Sequence, residues 1–377
     1  MIDRRINDPE IKGEHIVEQS KTLKYHNNLV KLTLDGNGIT NIDVLSTLEN
    51  LEELDLSRNR GLNVSPIQHL TKLTKLTLES CALRDIQGLS HLTNLIYLNL
   101  NGNVEVIIVP LGQLTQLVSL YLLGCSLISQ QISSQNPTQQ FEIKTIIDYS
   151  FCSLVNLKFL DVSFNIIETI TPLQYLVNLI SLDISYNRIK DLTALRKLTN
   201  LEVLNMSQNS LADITPLQYL IKLTKLDSSS CQIYDVSVLR LLNNLQYLEL
   251  NENLIHDIVP LFQLKNLTEL YLNSNRITNF ASLLLLEHHS NFYKFEFSDQ
   301  YEPTINELKI YLKIQRIDSS TVLLQDISHQ RKQINARVNP MKEQISQCLL
   351  NLNNNHLQFS RNVVSIFKQL EAGESCQ

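Results

Sequence analysis

The sequence predicts an α/β solenoid. It should be a curved right-handed superhelix with a parallel β-sheet on the concave face. The convex side should hold short 3₁₀, helical or irregular segments, and an α-helical extension should follow at the C-terminus. Three observations predict this. Leucines recur with a period of 22 residues over most of the 377-residue chain. Inside each period an L-x-L step alternates with period two, as a short strand with one buried face requires. From Thr304 onward the repeat pattern gives way to helical spacing.

The repeats come first in the argument, because a missed period misassigns the whole chain. Leu179–Asn200 reads LISLDISYNRIKDLTALRKLTN and Leu201–Lys222 reads LEVLNMSQNSLADITPLQYLIK. Both fit L-x-x-L-x-L-x-x-N-x-[IL]-x-D-[IL]-x-x-L-x-x-L-x-x. The frame starts at Leu29, Leu51, Leu73, Leu95 and Leu117, and again at Leu157, Leu179, Leu201, Leu223, Leu245 and Leu267, which makes eleven copies. An atypical terminal unit follows at Phe292, with Phe295 and Phe297 in leucine places. One such unit cannot bury its leucines alone, whereas stacked units share a core and pair their strands.

This pattern resembles the leucine-rich-repeat family, in the 22-residue form of the protein phosphatase 1 regulatory subunit, over roughly residues 29–299. Bacterial internalins carry a similar repeat. The resemblance implies a partner held on the concave face through acidic and aromatic side chains. Asp161, Asp183, Asp227 and Glu249, with Phe159 and Tyr247, occupy strand positions of the matching type. The long insertion and the helical tail depart from the regulator's pattern.

At the ninth position of the repeats stand Asn37, Asn59, Cys81, Asn103, Cys125, Asn165, Asn187, Asn209, Cys231, Asn253 and Asn275. Here the chain turns sharply off the strand and leaves backbone groups that water cannot reach. A buried asparagine can bond them in a ladder from repeat to repeat. The resemblance implies that cysteine is tolerated there, where a small apolar thiol with weak hydrogen-bonding capacity fits. Cys81 and Cys125 are 44 residues apart, two turns of the solenoid. That places them about 10 Å apart at a strand spacing of about 5 Å, too far for a disulfide. Cys231 therefore reads as a ladder residue, not a nucleophile, a metal ligand or half of a disulfide.

The remaining segments organise around the repeats. Residues 1–28, with helix-compatible apolar spacing at Ile11, Ile16, Leu23 and Tyr25, read as an N-terminal helical cap. The repeat region runs over 29–302, with a Gln-, Ser- and Asn-rich insertion at about 130–147 expected to emerge on the convex side. Residues 303–377 read as a helical extension, opened by a capping box at Thr304 and Glu307 and continued by a helix after Asn339-Pro340.

The repeat frame also sorts inward from outward side chains. The central outward column reads Thr33, Asp55, Thr77, Asn99, Tyr121, Asp161, Asp183, Asn205, Asp227, Glu249, Tyr271 and Glu296. Neighbouring columns add Tyr97, Phe159, Phe164, Tyr186 and Tyr247. Over all outward strand positions there are 14 acidic and 6 basic residues, a more acidic balance than the chain's overall charge of -6. Such a face can keep a wide sheet soluble. It can equally steer a partner with a basic surface while aromatic residues anchor it. The expected partner-binding set is Asp55, Tyr97, Tyr121, Phe159, Asp161, Asp183, Asp227, Tyr247, Glu249 and Tyr271.

Other classes find little support. The sequence has no Walker A motif, no C-x-x-C, no H-E-x-x-H and no G-x-S-x-G, so no enzyme, cofactor or metal is expected. The mildly acidic charge argues against nucleic acid. The apolar runs are too short to span a bilayer, and the N-terminus has no apolar signal region. The expectation is a cytoplasmic, non-enzymatic scaffold, nuclear or cytoskeleton-associated in variant readings, that binds another protein as a regulatory or assembly subunit. A cytoskeletal or ciliary component assembling through its C-terminal helices is the first alternative. An internalin-like surface adhesin is the second.

Overall fold

Every repeat places a three-residue strand at its third to fifth positions, where the L-x-L alternation begins. The computed structural model of the protein describes residues 28–127, 149–277 and 294–296. Its strands are β1 (Lys31–Thr33), β2 (Glu53–Asp55), β3 (Lys75–Thr77), β4 (Tyr97–Asn99), β5 (Ser119–Tyr121) and β6 (Phe159–Asp161). They continue as β7 (Ser181–Asp183), β8 (Val203–Asn205), β9 (Lys225–Asp227), β10 (Tyr247–Glu249), β11 (Glu269–Tyr271) and β12 (Lys294–Glu296). All twelve pair in parallel, in chain order, in one sheet. The register never slips: Leu54 faces Leu76, Leu98 faces Leu120, and Leu182 faces Leu204. A slip of one residue would turn the leucine side outward, so the buried face fixes the pairing.

The chain divides into two units, residues 1–276 with 291–297, and 277–290 with 298–377. All described residues except Ile277 lie in the first. The expected cap, the insertion at 130–147, the aromatic positions Phe292 and Phe297 and the extension at 303–377 fall outside the described residues. Across the insertion the sheet continues unbroken, since Leu120 of β5 pairs with Leu160 of β6.

The core is a stack of leucines. Leu95, Leu98 and Leu100 have no exposed surface, and the same three places are at most 3% exposed in the repeats from Leu51 to Leu267, the first repeat being more open at Leu29. Opposite the strands, five-residue 3₁₀ segments such as Thr171–Tyr175 and Thr215–Tyr219 complete each turn. Proline at the start of these segments (Pro172, Pro216) costs nothing, because the first N–H groups of a helical turn have no internal partner. The repeat's conserved-spacing aspartate initiates them. Asp191, Asp213, Asp235 and Asp257 each accept the backbone N–H two residues on, at 2.8–2.9 Å.

Candidate interaction surface

Three features of the repeat position the outward side chains: the ladder that pins each turn, the strands, and the turn itself. The ladder asparagines use both ends of their side chains. Asn187 Nδ2 donates to the carbonyls of Val162, Ile184 and Ser185, each at 3.0 Å, while its Oδ1 accepts the Ile167 N–H at 2.9 Å. Asn103 and Asn253 repeat the arrangement. Asn37, in the first repeat, is half-exposed and donates to Asp35 O at 3.0 Å.

The cysteines fill the same place by a different bond. Sγ of Cys81, Cys125 and Cys231 donates to the carbonyls of Leu56, Leu100 and Met206, all at 3.2 Å, which replaces the amide donor. A thiol cannot replace the amide oxygen. The orphaned N–H of Gly61, Glu105 and Leu211 instead finds the cysteine's own backbone carbonyl, at 3.1, 2.8 and 2.9 Å. In each case the next residue (Ala82, Ser126, Gln232) is left-handed, with φ of 56°, 44° and 66°, which turns that carbonyl toward its donor. Burial pushes the Cys125 and Cys231 thiols up to about 12 and raises Cys81 as well. A thiolate is the reactive form. We therefore expect Cys81, Cys125 and Cys231 to resist iodoacetamide in the folded protein and to label fully in denaturant, as read by peptide mass spectrometry.

On the open face the central column carries its carboxylates edge to edge. Asp161 of β6 faces Asp183 of β7 in register, and Asp227 of β9 faces Glu249 of β10. Each aspartate also closes its own strand. Asp161 Oδ1 accepts Ser163 N–H at 2.9 Å and Ser163 Oγ–H at 2.6 Å, and Asp183 holds Ser185 with the same two distances. Asp55 and Asp227 accept the N–H of Ser57 and Ser229. Burial raises the carboxyls of Asp161 and Asp227; the neighbouring charges of Asp183 and Glu249 push the same way, and the serine hydrogen bonds only partly offset this. The ion pairs among the described residues are Lys31–Glu53, Arg58–Asp35 and Arg84–Glu105. None reaches Asp161, Asp183, Asp227 or Glu249. They stand as two like-charged pairs either side of Asn205, without a paired cation among the described residues.

Aromatic rings flank these pairs. Tyr97 and Tyr121 meet diagonally with centroids 5.3 Å apart, and Lys75 Nζ lies 5.1 Å from the Tyr97 ring. Six strands further along, Tyr247 and Tyr271 meet at 5.4 Å with Lys225 Nζ 4.5 Å over Tyr247. Phe159 is openly exposed. Tyr271 departs from its expected role as an exposed anchor, being only 8% exposed. Its ring meets Tyr247 and its hydroxyl donates to Glu269 at 2.7 Å, so it backs the surface rather than presenting it. Tyr247 donates its hydroxyl to Glu249, and burial together with that carboxylate holds the phenol well above its usual range.

Two features escape the repeat frame. Phe164 and Tyr186 belong to the open face by their place in the repeat but pair in a way the pattern does not announce. They lie in the turn after β6 and β7, stacked at 4.0 Å and 11°. On the far side of each turn a second set of asparagines (Asn94, Asn156, Asn178, Asn200, Asn244 and Asn266) donates to the preceding repeat's carbonyls at 2.8–2.9 Å. Their signal is the N-L pair that opens many repeats.

Among the described residues no His, Cys, Asp and Glu side chains group as a metal site, and no helix is long and apolar enough to cross a membrane. Compared with known proteins, residues 177–219 and 243–284 match a family model described as leucine rich repeats in two copies. An internalin from Listeria monocytogenes superposes with a TM-score of 0.60 at 25% identity, covering 80% of this chain and 94% of that one. A leucine-rich-repeat protein of Leptospira interrogans shares the fold with a TM-score of 0.52 at 22% identity, over 74% of this chain and 81% of that one. No curated protein matches the chain in sequence. The recurring 22-residue frame, the unbroken in-register pairing of its strands, the family model matched over two stretches and these folds agree that the chain is a leucine-rich-repeat protein.

Proposed function

We propose that the protein is a non-enzymatic scaffold that binds a partner protein with a basic surface on the open face of its sheet. One observation carries the reading: Asp161–Asp183 and Asp227–Glu249 form two cross-strand carboxylate pairs either side of Asn205, partly desolvated, without a paired cation among the described residues, and bracketed by aromatic rings. Like charges opposite one another on a sheet are destabilising, and an incoming basic surface would relieve that repulsion. Rings beside the charges supply area that anchors a complex. A regulatory subunit of the phosphatase-binding kind implied by the repeat type is a finer form of the same reading. Assembly through the C-terminal helices concerns residues outside those described.

The test compares affinity capture from native lysate by wild type and by Asp161→Lys/Asp183→Lys/Asp227→Lys, with folding of the variant checked by circular dichroism. We expect a partner held by wild type, weakened by added salt and lost from the variant. Equal capture by both proteins would remove the open face from the binding site.

A further inference from the structure

We propose that the turns after β5 and β6 form an arginine-binding slot, in which a guanidinium of the partner lies against the open face of Phe164, itself backed by Tyr186, and reaches the carboxylate of Asp161. This rests on the open-face reading above and names its central contact. Phe164 and Tyr186 are 52% and 45% exposed although their rings stack on each other at 4.0 Å. Burial therefore does not explain two large rings here. Both also occupy the left-handed turn position, with φ of 53° and 52°, where Gly36, Gly102 and Gly124 stand in three repeats and polar or charged side chains, Arg58 to Ser274, in six others. Backbone of this hand suits glycine and is unfavourable for bulky side chains.

The stack has an open end. Hydrogen bonds from Gly124 N–H to Ser163 O and from Phe164 N–H to Ser185 O, both at 3.0 Å, place Gly124 beside Phe164 in the same column. A Cβ at Gly124 would meet nothing within 4 Å. The neighbouring turn thus leaves a gap one strand spacing wide, about 4.8 Å, against the outer face of the Phe164 ring. Leu123, 37% exposed, borders it. A planar group fits such a gap better than a tetrahedral ammonium.

Charge decides which planar group. Asp161, on the strand next to the Gly124 turn, takes part in no ion pair among the described residues and is held toward the turn by its bonds to Ser163, and Asp183 adds like charge one strand further on. An uncharged ring would fill the gap and leave the carboxylates uncompensated. A guanidinium stacks on an aromatic face and offers a fork of donors to carboxylates at once, whereas lysine offers a point charge that cannot do both.

The probe is a fluorescein-labelled Gly-Ser peptide with interspersed arginines, compared with the same peptide carrying lysines, by fluorescence anisotropy on the full chain. The arginine probe should bind saturably and the lysine probe several-fold more weakly. Phe164→Gly/Tyr186→Gly should reduce arginine-probe affinity roughly tenfold, about one cation–π contact made in partly desolvated surroundings. Glycine adopts the required φ freely, so this variant should keep or raise the wild-type Tm. Asp161→Asn/Asp183→Asn should weaken the same probe. Equal affinity for the two probes, no saturable binding, or undiminished binding by the glycine variant would each overturn the slot. The native partner separates the two levels of the argument. If the triple lysine variant loses it while the glycine variant holds it undiminished, the slot fails and the open-face reading stands. If both variants hold it, the open-face reading fails too.

Discussion

Asn187→Ala is expected to destabilise the repeat array by about 2–4 kcal/mol, measured as a lowered midpoint in urea unfolding, although nothing on the surface changes. The magnitude follows from which groups lose their only partner. The carbonyls of Val162 and Ile184 would keep a donor, because Asn165 and Asn209 also reach them, at 2.9 and 3.0 Å. The N–H of Ile167 would not, since Asn187 Oδ1 is its acceptor in a place water does not reach. One buried orphan donor and a small void make up the expected loss. Asn187→Cys should fall between wild type and Ala. It restores the donor to the preceding repeat but leaves Ile167 N–H unmatched, because Arg188 is not left-handed like the residues after the natural cysteines. Adding Arg188→Gly to Asn187→Cys should recover part of the loss, by allowing the carbonyl to turn as it does at Cys81, Cys125 and Cys231. If the two cysteine variants unfold at the same midpoint, the carbonyl substitution is not what makes cysteine acceptable in the ladder.

That contrast shows where the sequence is legible and where it stops. Period and alternation are properties of single residues in a fixed frame, so strand positions, register and the place of Cys231 can be read from them. The compensation around Cys231 cannot. It needs a carbonyl of one repeat to meet an N–H of the one before, which depends on the φ of Gln232. Exposure on the open face is legible only in part for a similar reason. The column position of Tyr271 marks it as outward, and so it is. Its ring is nevertheless 8% exposed and meets Tyr247 of the adjacent strand at 5.4 Å, a diagonal contact that a column of letters does not contain. Phe164 and Tyr186 are 22 residues apart, so their nearness is implicit in the repeat, but the left-handed turn that stacks their rings is not. The outer asparagines were visible as recurring N-L pairs. They carry no hydrophobic signature, and a search built on leucines passes over them.

Asp161→Asn/Asp227→Asn is expected to raise the Tm at neutral pH while weakening partner binding, a pairing of opposite signs that a solubility role would not produce. Asn205 shows that the neutral side chain fits. Its Oδ1 accepts Ser207 N–H at 3.1 Å and Ser207 Oγ–H at 2.8 Å, the bonds that Asp161 makes to Ser163. The gain comes from removing charge that burial and a like-charged neighbour penalise, about 0.2–1 kcal/mol for each relieved cross-strand pair. The pH dependence has a definite sign. Both carboxyls are raised in the folded protein, so folding is favoured while they are protonated, and that advantage is lost as pH rises through their raised values. The Tm gap between variant and wild type should therefore be full at neutral pH. It should close as pH falls through the raised values toward the ordinary 3.8 of an aspartate. A gap independent of pH would mean that the asparagines stabilise by packing alone. Partner binding that survives the double substitution undiminished would leave the repulsion between these strands without a functional counterpart.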